Sequence, residues 1–294
     1  MERKRRESEI GRLLLLLMAG SLIGVPLASR FRNACAGQRT AVVPSVGSSC
    51  SDVGALPFAV GERLRFRVRY GMVTAGSAEM AITGLSEIRG HRCFRAVTTI
   101  ESNALFSRFY RVQDYLESHL DCDAIIPWFF EKHLREGKYR ADVRAEYDHA
   151  AGVAVVNGDT VRIPPGAQDM LSIFYFVRTQ PMEVGKVIEV ANHDNKKVAI
   201  LELHVLRKEK VETEAGRFDA FVVEPRLKES GEKAGLLRQK GEGWIWFSAD
   251  SRRLPVLIRT KMYFGSLTLE LAEISRLTGF ASSTADAKEG SDGR

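Results

Sequence analysis

Residues 63–70 alternate strictly, with Leu64, Phe66, Val68 and Tyr70 at the even positions and Arg63, Arg65, Arg67 and Arg69 at the odd ones. A helix would scatter the four arginines around its circumference, whereas a pleated strand collects them into one row. The segment therefore predicts a β-strand with one face in a core and the other in solvent. Apolar residues make up 45% of the 294-residue chain, enough for a sizeable core, which excludes disorder of the whole chain.

The same alternation recurs at short intervals, broken by turn residues. It predicts strands at 77–83, 92–101, 107–120, 126–134, 138–147, 152–156 and 160–163. After a gap it resumes at 187–191, 197–205, 211–213, 218–224, 243–247, 256–263 and 267–274. Asn157-Gly158 between β-branched runs is a strong hairpin signal. Connections this short leave no room for helical crossovers, so the pairing is antiparallel and the topology mainly a meander. One stretch breaks the rhythm: residues 168–178, after Pro164-Pro165-Gly166 and before Pro181, are apolar on nearly every side and read as a buried helix. The fold expected is all-β, a large antiparallel meander of about fourteen strands with that one helix plugging it. Open sheets rarely exceed about ten strands, so it should curl into a deeply curved sheet or barrel.

The first 36 residues are of another kind. A basic head at Arg3-Lys4-Arg5-Arg6, an apolar run from Leu13 to Ala28 and a small-x-small site at Ala34-Cys35-Ala36 read as a secretory signal peptide. An uncleaved membrane anchor and a lipidated Cys35 are the alternatives. Residues 37–56 form a flexible lead-in, residues 57–277 a single β-domain and residues 278–294 a polar tail. The leader also holds seven Lys/Arg and three Asp/Glu, so it carries +4 of the formal +6 and leaves 36 basic against 34 acidic residues in the body. That balance argues against nucleic-acid binding. It also makes the arginine row a solvated outer wall balanced by acidic residues on adjacent strands, with anionic lipid headgroups as the alternative partner. Cysteines 35, 50, 93 and 122 form no Cys-x-x-Cys pair. Cys93 and Cys122 either bridge neighbouring strands or stay as two buried thiols.

Four motifs carry a family likeness. They are residues 61–71 with Ala75-Gly76, then Gln168-Asp169-Met170-Leu171-Ser172 with Phe174, Tyr175 and Arg178, then Glu212-Thr213 before Gly216-Arg217-Phe218, and finally Trp244-Ile245-Trp246-Phe247-Ser248-Ala249-Asp250 with Arg253-Leu254-Pro255-Val256. In this order the chain resembles the bacterial exported proteins of domain-of-unknown-function family 3108 over roughly residues 57–275. The resemblance implies an envelope protein with an N-terminal signal, a large antiparallel β-structure and no assigned catalytic residues. A looser likeness of architecture, without shared motifs, connects such proteins to lipoprotein-carrier half-barrels.

Motifs for known chemistry are lacking. The chain has no phosphate-cradling loop, no His-Glu-x-x-His, no Gly-x-Ser-x-Gly and no histidine pair at ligand spacing, and no cofactor or metal is called for. Asp121-Cys122-Asp123 reads as a turn before it reads as a cation site. The candidate ligand-binding residues are Gln168, Asp169, Tyr175 and Arg178 around the helix, with Trp244 and Trp246 on one strand face. Each has a structural reading beside it: Gln168 or Asp169 caps the helix, Arg178 faces its C-terminal dipole, and the tryptophans pack core or rim. The function expected is non-enzymatic, in the periplasm or envelope, with a lipid or other apolar ligand held inside a curved sheet lined by Leu64, Phe66, Val68 and Tyr70 and lidded by the helix. The alternatives are a scaffolding protein with a packed interior that meets an envelope protein partner, and a hydrolase of an envelope polymer. Membrane association, if any, is expected through the N-terminus.

Overall fold

The computed structural model describes residues 56–195, 197–228, 243–261 and 265–276. The leader, the lead-in up to residue 55 and the tail from residue 277 lie outside the described residues. Alternating side chains build fourteen strands into one antiparallel sheet. In chain order these are β1 (Glu62–Tyr70), β2 (Val73–Ile88), β3 (His91–Ser102), β4 (Gln113–Asp121), β5 (Pro127–Glu136), β6 (Tyr139–Asp148), β7 (Val153–Val156) and β8 (Asp159–Arg162). They continue with β9 (Val187–Asp194), β10 (Lys197–Thr213), β11 (Gly216–Leu227), β12 (Gly243–Ser248), β13 (Pro255–Lys261) and β14 (Ser266–Arg276). The spatial order runs from β8 down to β1 and then from β14 down to β9, so two meanders meet at the β1–β14 pair. This leaves β8 and β9 as the two edges, and the chain passes between them through α1 (Ser172–Thr179).

The first strand keeps both of its faces. Leu64, Phe66 and Val68 are buried, while the arginine row lies outside among carboxylates. Register places Arg65 opposite Glu79 on β2 and Glu273 on β14, with ion pairs of 3.0 and 3.2 Å. Arg63 also meets Glu79, Arg67 meets Glu214, and Arg69 stands 3.9 Å from Glu270. The row is a wall with its charge neutralised across strands.

Register shifts in six of the strand pairs, among them Arg65/Phe66, Ile82/Gly84 and Val205/Arg207, add local twist and bend the sheet on itself. The bending brings β9 against β5 and β6, far from it in strand order, where Lys132 Nζ lies 2.5 Å from Asp194 Oδ1. Inward side chains from both meanders and from α1 then join in one contiguous core. The predicted hairpin at Asn157-Gly158 is present, and both residues have positive φ (47° and 91°), as a two-residue hairpin turn of the mirror-image type requires.

Three expectations need correction. Residues 107–120 are not one strand. Asn103 Oδ1 accepts the Phe106 amide at 2.8 Å and starts a 3-10 helix, Phe106–Arg108, so β4 begins only at Gln113. Residues 197–205 and 211–213 belong to one long strand, β10, because a bulge after Val205 absorbs the break in alternation. Cys93 and Cys122 do not bridge: Cys93 is a free, buried thiol, whereas Cys122 is disulfide-bonded. Burial pushes the Cys93 thiol up to about 12.

Gly76 lets β2 and β3 approach. A Cβ there would lie 2.0 Å from the Glu101 carbonyl oxygen, a distance no side chain adopts. Gly76→Ala should therefore cost about 1–3 kcal/mol of stability through forced strand separation, read as a lowered midpoint in urea. An unchanged midpoint would show that the pair opens freely at this position.

Candidate functional site

The sheet edges are joined by the chain that crosses between them. Gln168 makes a parallel bridge to Asn192 on β9: its amide donates to the Ala191 carbonyl at 2.8 Å and its carbonyl accepts the His193 amide at 2.7 Å. Asp169 then caps the turn at Met170 and Leu171 that leads into α1, which begins at Ser172 rather than at residue 168 as expected. Asp169 Oδ1 accepts the amides of Leu171 and Ser172, both at 2.7 Å, while Ser172 Oγ accepts the Asp169 amide at 2.7 Å. This is a reciprocal cap, so Asp169 has the capping role. Its other oxygen accepts Ser118 Oγ of β4 at 2.5 Å. Burial raises the Asp169 carboxyl to about 6, despite the hydrogen bonds that favour its charge.

Around this cap the interior carries a polar cluster. Lys132, 3% exposed, pairs with Asp194 and also reaches Met170 Sδ at 3.0 Å. Tyr147 OH meets His193 Nδ1 at 3.0 Å, and His193 Nε2 is buried with no partner. Burial keeps His193 below its usual range, hence neutral at pH 7. The cluster ties β4, β5, β6 and β9 together over the cap, where no strand ladder closes the barrel. Lys132 had a signal in the sequence: it takes the inward place between Phe130 and Leu134 on an alternating strand, where an apolar residue is expected.

The other end of α1 is fastened differently. Arg178, 1% exposed, is bidentate to Glu62 at 2.6 and 2.9 Å and donates to the carbonyls of Pro57 and Arg252 at 2.7 and 3.1 Å. Phe58 stands edge-on to Tyr175, with ring centroids 5.0 Å apart, and the Arg178 guanidinium lies over both rings. The expected contact of Arg178 with the helix dipole is corrected: Arg253 supplies it, donating to the Arg178 carbonyl at 2.9 Å, while Arg178 itself turns to Glu62.

The tryptophans belong to neither cluster. In the β12–β13 register Ile245 faces Ile258, and Trp244 and Trp246 take the opposite face, where Trp246 is buried in a packed layer with Trp244 beside it; Arg259 lies over the Trp246 ring and Lys261 over the Trp244 ring. The long β10–β11 hairpin leans over this layer. Trp246 Nε1 donates to Glu209 Oε1 at 2.6 Å, and Ala215 N reaches the Leu271 carbonyl at 3.2 Å. The six candidate residues thus fall into three places: Gln168 and Asp169 at the cap, Tyr175 and Arg178 at the far end of α1, and Trp244 and Trp246 packed beneath the β10–β11 hairpin. The Asp121 turn is as expected, with Oδ1 accepting the amides of Asp123 and Ala124 at 2.9 Å.

A third polar feature sits toward the end of the barrel where β1–β2, β3–β4 and β5–β6 connect. Asp114 on β4 and Glu136 at the close of β5 share the interior, 4% and 1% exposed, and neither Glu136 oxygen has a hydrogen-bond donor. Burial and the neighbouring Asp114 charge hold the Glu136 carboxyl well above the usual range, and burial raises Asp114 as well. Beside them opens a cleft of about 360 Å³, walled by Glu101, Ser102, Ser107, Arg108, Arg111 and Val112. Among the described residues no group of three metal-ligating side chains converges, and no helix is long and apolar enough to cross a membrane.

Residues 65–272 match the sequence model of DUF3108, described as a protein of unknown function. The chain belongs to the DUF3108 family. No curated protein matches it. Among solved structures it is similar to a β-barrel-like protein of the domain of unknown function DUF1849 from Brucella abortus, at 11% identity and a TM-score of 0.47, covering 74% of this chain and 98% of that one. It is also similar to a "putative exported protein with YmcC-like fold" from Bacteroides fragilis NCTC 9343, at 15% identity and a TM-score of 0.35, covering 75% and 98%. A "putative lipoprotein" from Parabacteroides distasonis ATCC 8503 matches at 11% identity and a TM-score of 0.32, covering 74% and 96%.

In this DUF3108 domain the two buried clusters make separable predictions. Arg178→Met leaves the Glu62 carboxylate and two carbonyls without their donor and should cost about 3–5 kcal/mol, measured by chemical denaturation. Glu136 acts through pH. Its folded-state pKa lies above the unfolded value of about 4.3, so between the two the native state keeps a proton that the unfolded chain has lost. Stability should fall as pH rises through that window, by about 1.4 kcal/mol for each unit of elevation. Glu136→Gln should flatten the fall between pH 5 and pH 9, and an unaltered slope would show that Glu136 ionises as freely folded as unfolded.

Proposed function

We propose that the protein is an exported, non-catalytic component of the cell envelope that acts through its outer surface, its interior being filled by the connection between its own sheet edges. The observation that carries this reading is the clasping of α1 at both ends, by Asp169 to β4 and by Arg178 to Glu62, inside a contiguous core. A chamber for an apolar ligand would need that connection to leave, against two buried charged clasps.

Export is supported by the basic head and apolar run of the leader and by the disulfide at Cys122, a bond that persists in oxidising compartments. Absence of catalysis is supported by burial. Asp114, Glu136, Asp169 and His193 are each less than one-tenth exposed, and none of them lines the cleft at the barrel end.

Extraction of the protein purified from envelopes, followed by lipid mass spectrometry, tests the reading. The expected result is no lipid species approaching one per chain. One species at near-stoichiometric yield would overturn the packed interior and favour a carrier.

A further inference from the structure

Some exposed wall cations, Lys208, Arg259 and Lys261 among them, lie over aromatic rings without an ion pair among the described residues, whereas those of the arginine row are paired and those at one end of the barrel have neither partner. On the wall, Arg63, Arg65, Arg67, Arg69, Arg95 and Arg144 are all ion-paired. At the end, three of the connections, at residues 71–72, 103–112 and 137–138, contain no Asp or Glu. Arg108, Arg111 and Lys138 within them, and Arg140 just after, are exposed and have no ion pair among the described residues. The nearby contacts of Arg111 and Arg140 are neutral: Arg111 donates to Gln113 Oε1 at 3.2 Å, and Arg140 to the carbonyls of Gly137 and Tyr139 at 2.9 and 2.7 Å. Glu101 lines the cleft with Arg108 and Arg111 but pairs with neither.

The same end carries the apolar surface. Of the five most exposed large hydrophobic residues described, four stand here: Met72 at 90%, Phe109 at 85%, Leu105 at 59% and Val73 at 53%. The connections are bound side by side, so these residues form one surface. Asn103 Nδ2 donates to the Thr74 carbonyl at 2.6 Å, and the Gly137 amide to the Arg111 carbonyl at 2.7 Å.

We infer that this end of the barrel docks on a bilayer containing anionic phospholipid, with Met72 and Phe109 entering below the phosphates and Arg108, Arg111, Lys138 and Arg140 meeting them. Separate apolar prongs among unpaired cations suit a surface that is greasy beneath a layer of negative charge. A protein interface would present a contiguous apolar core depleted in charge. The inference rests on the reading that the protein acts through its exterior.

The test uses the full chain with Phe109→Trp as a probe at the docking end and Val184→Trp, 57% exposed before β9 at the other end, as the control. Vesicles of brominated phosphatidylcholine, alone or with equal parts of phosphatidylglycerol, quench any indole that enters them. The Phe109→Trp probe should be quenched by the anionic vesicles and the Val184→Trp probe should not. Replacing Arg108, Arg111, Lys138 and Arg140 by glutamine should weaken the quenching interaction about fivefold per cation removed. The leader cannot mimic this result, because a chain tethered by its N-terminus alone would leave the Phe109→Trp probe unquenched. That outcome, equal quenching of both probes, or quenching indifferent to the four substitutions would overturn the inference. A lipid-filled interior would show as co-purifying lipid with the vesicle result unchanged, so the two readings fail separately.

Discussion

A sheet of fourteen strands has a concave face too large to leave wet and two edges too far apart in sequence to meet through a short turn. The connection between β8 and β9 resolves both difficulties. Its helix fills the concavity with Phe174, Tyr175 and Val177, and its Gln168 backbone pairs with β9 in place of a missing strand. Exposed edges invite pairing with other chains, and here one edge is covered by the protein's own backbone. The clasps are polar because they must be specific. An apolar plug alone could slide along an apolar wall, whereas the Asp169 cap with Ser118 and the Arg178 fork with Glu62 each admit one position.

Two electrostatic regimes follow from this architecture. On the curved wall, strands 4.7–4.9 Å apart set cations and carboxylates opposite one another, as at Arg65 between Glu79 and Glu273. Such pairs contribute little individually at exposed positions, but they remove net charge from the wall. Arg89 in the β2–β3 turn and Arg252 between β12 and β13 still find Glu146 and Asp250, but Arg108, Arg111 and Lys138 in the β3–β4 and β5–β6 connections meet no carboxylate among the described residues.

How much of this was readable in the sequence depends on the range of the interaction. Alternation reports a residue's own face, so Leu64, Phe66 and Val68 were readable as inward and the arginines as outward. The Asn157-Gly158 turn, the buried helix and the Asp169 cap are equally local. What the helix ends touch is not local. Glu62 stands 116 positions from Arg178 in the chain, and the exposed helix dipole offered a nearer, mistaken partner. The spacing of Trp244 and Trp246 shows that they share a face, but which face depends on the register with β13 and on the β10–β11 hairpin that leans over it. Lys132 and Glu136 gave a usable sign, since polar residues at inward positions of an alternating strand need buried partners. The sign says that a partner exists without naming Asp194 or Asp114.

The buried carboxyl pair connects the interior to the end of the barrel. Glu136 directly precedes Gly137 and Lys138, so an ionised Glu136 would place a negative charge under Arg108, Arg111, Lys138 and Arg140, which lack ion pairs among the described residues. Burial and Asp114 keep it protonated instead. Asp114 does have a compensating donor, the Arg135 amide at 2.8 Å, and it is the carboxyl of the pair better able to carry the charge. The positive field of Arg108, Arg111, Lys138 and Arg140 is therefore offset from below by one carboxylate at most. The geometry that makes Glu136 costly to ionise is the same strand ending that holds the β3–β4 and β5–β6 connections together, through the Val112–Glu136 bridge. Packing within the barrel and charge on its end are thus set by the same few residues.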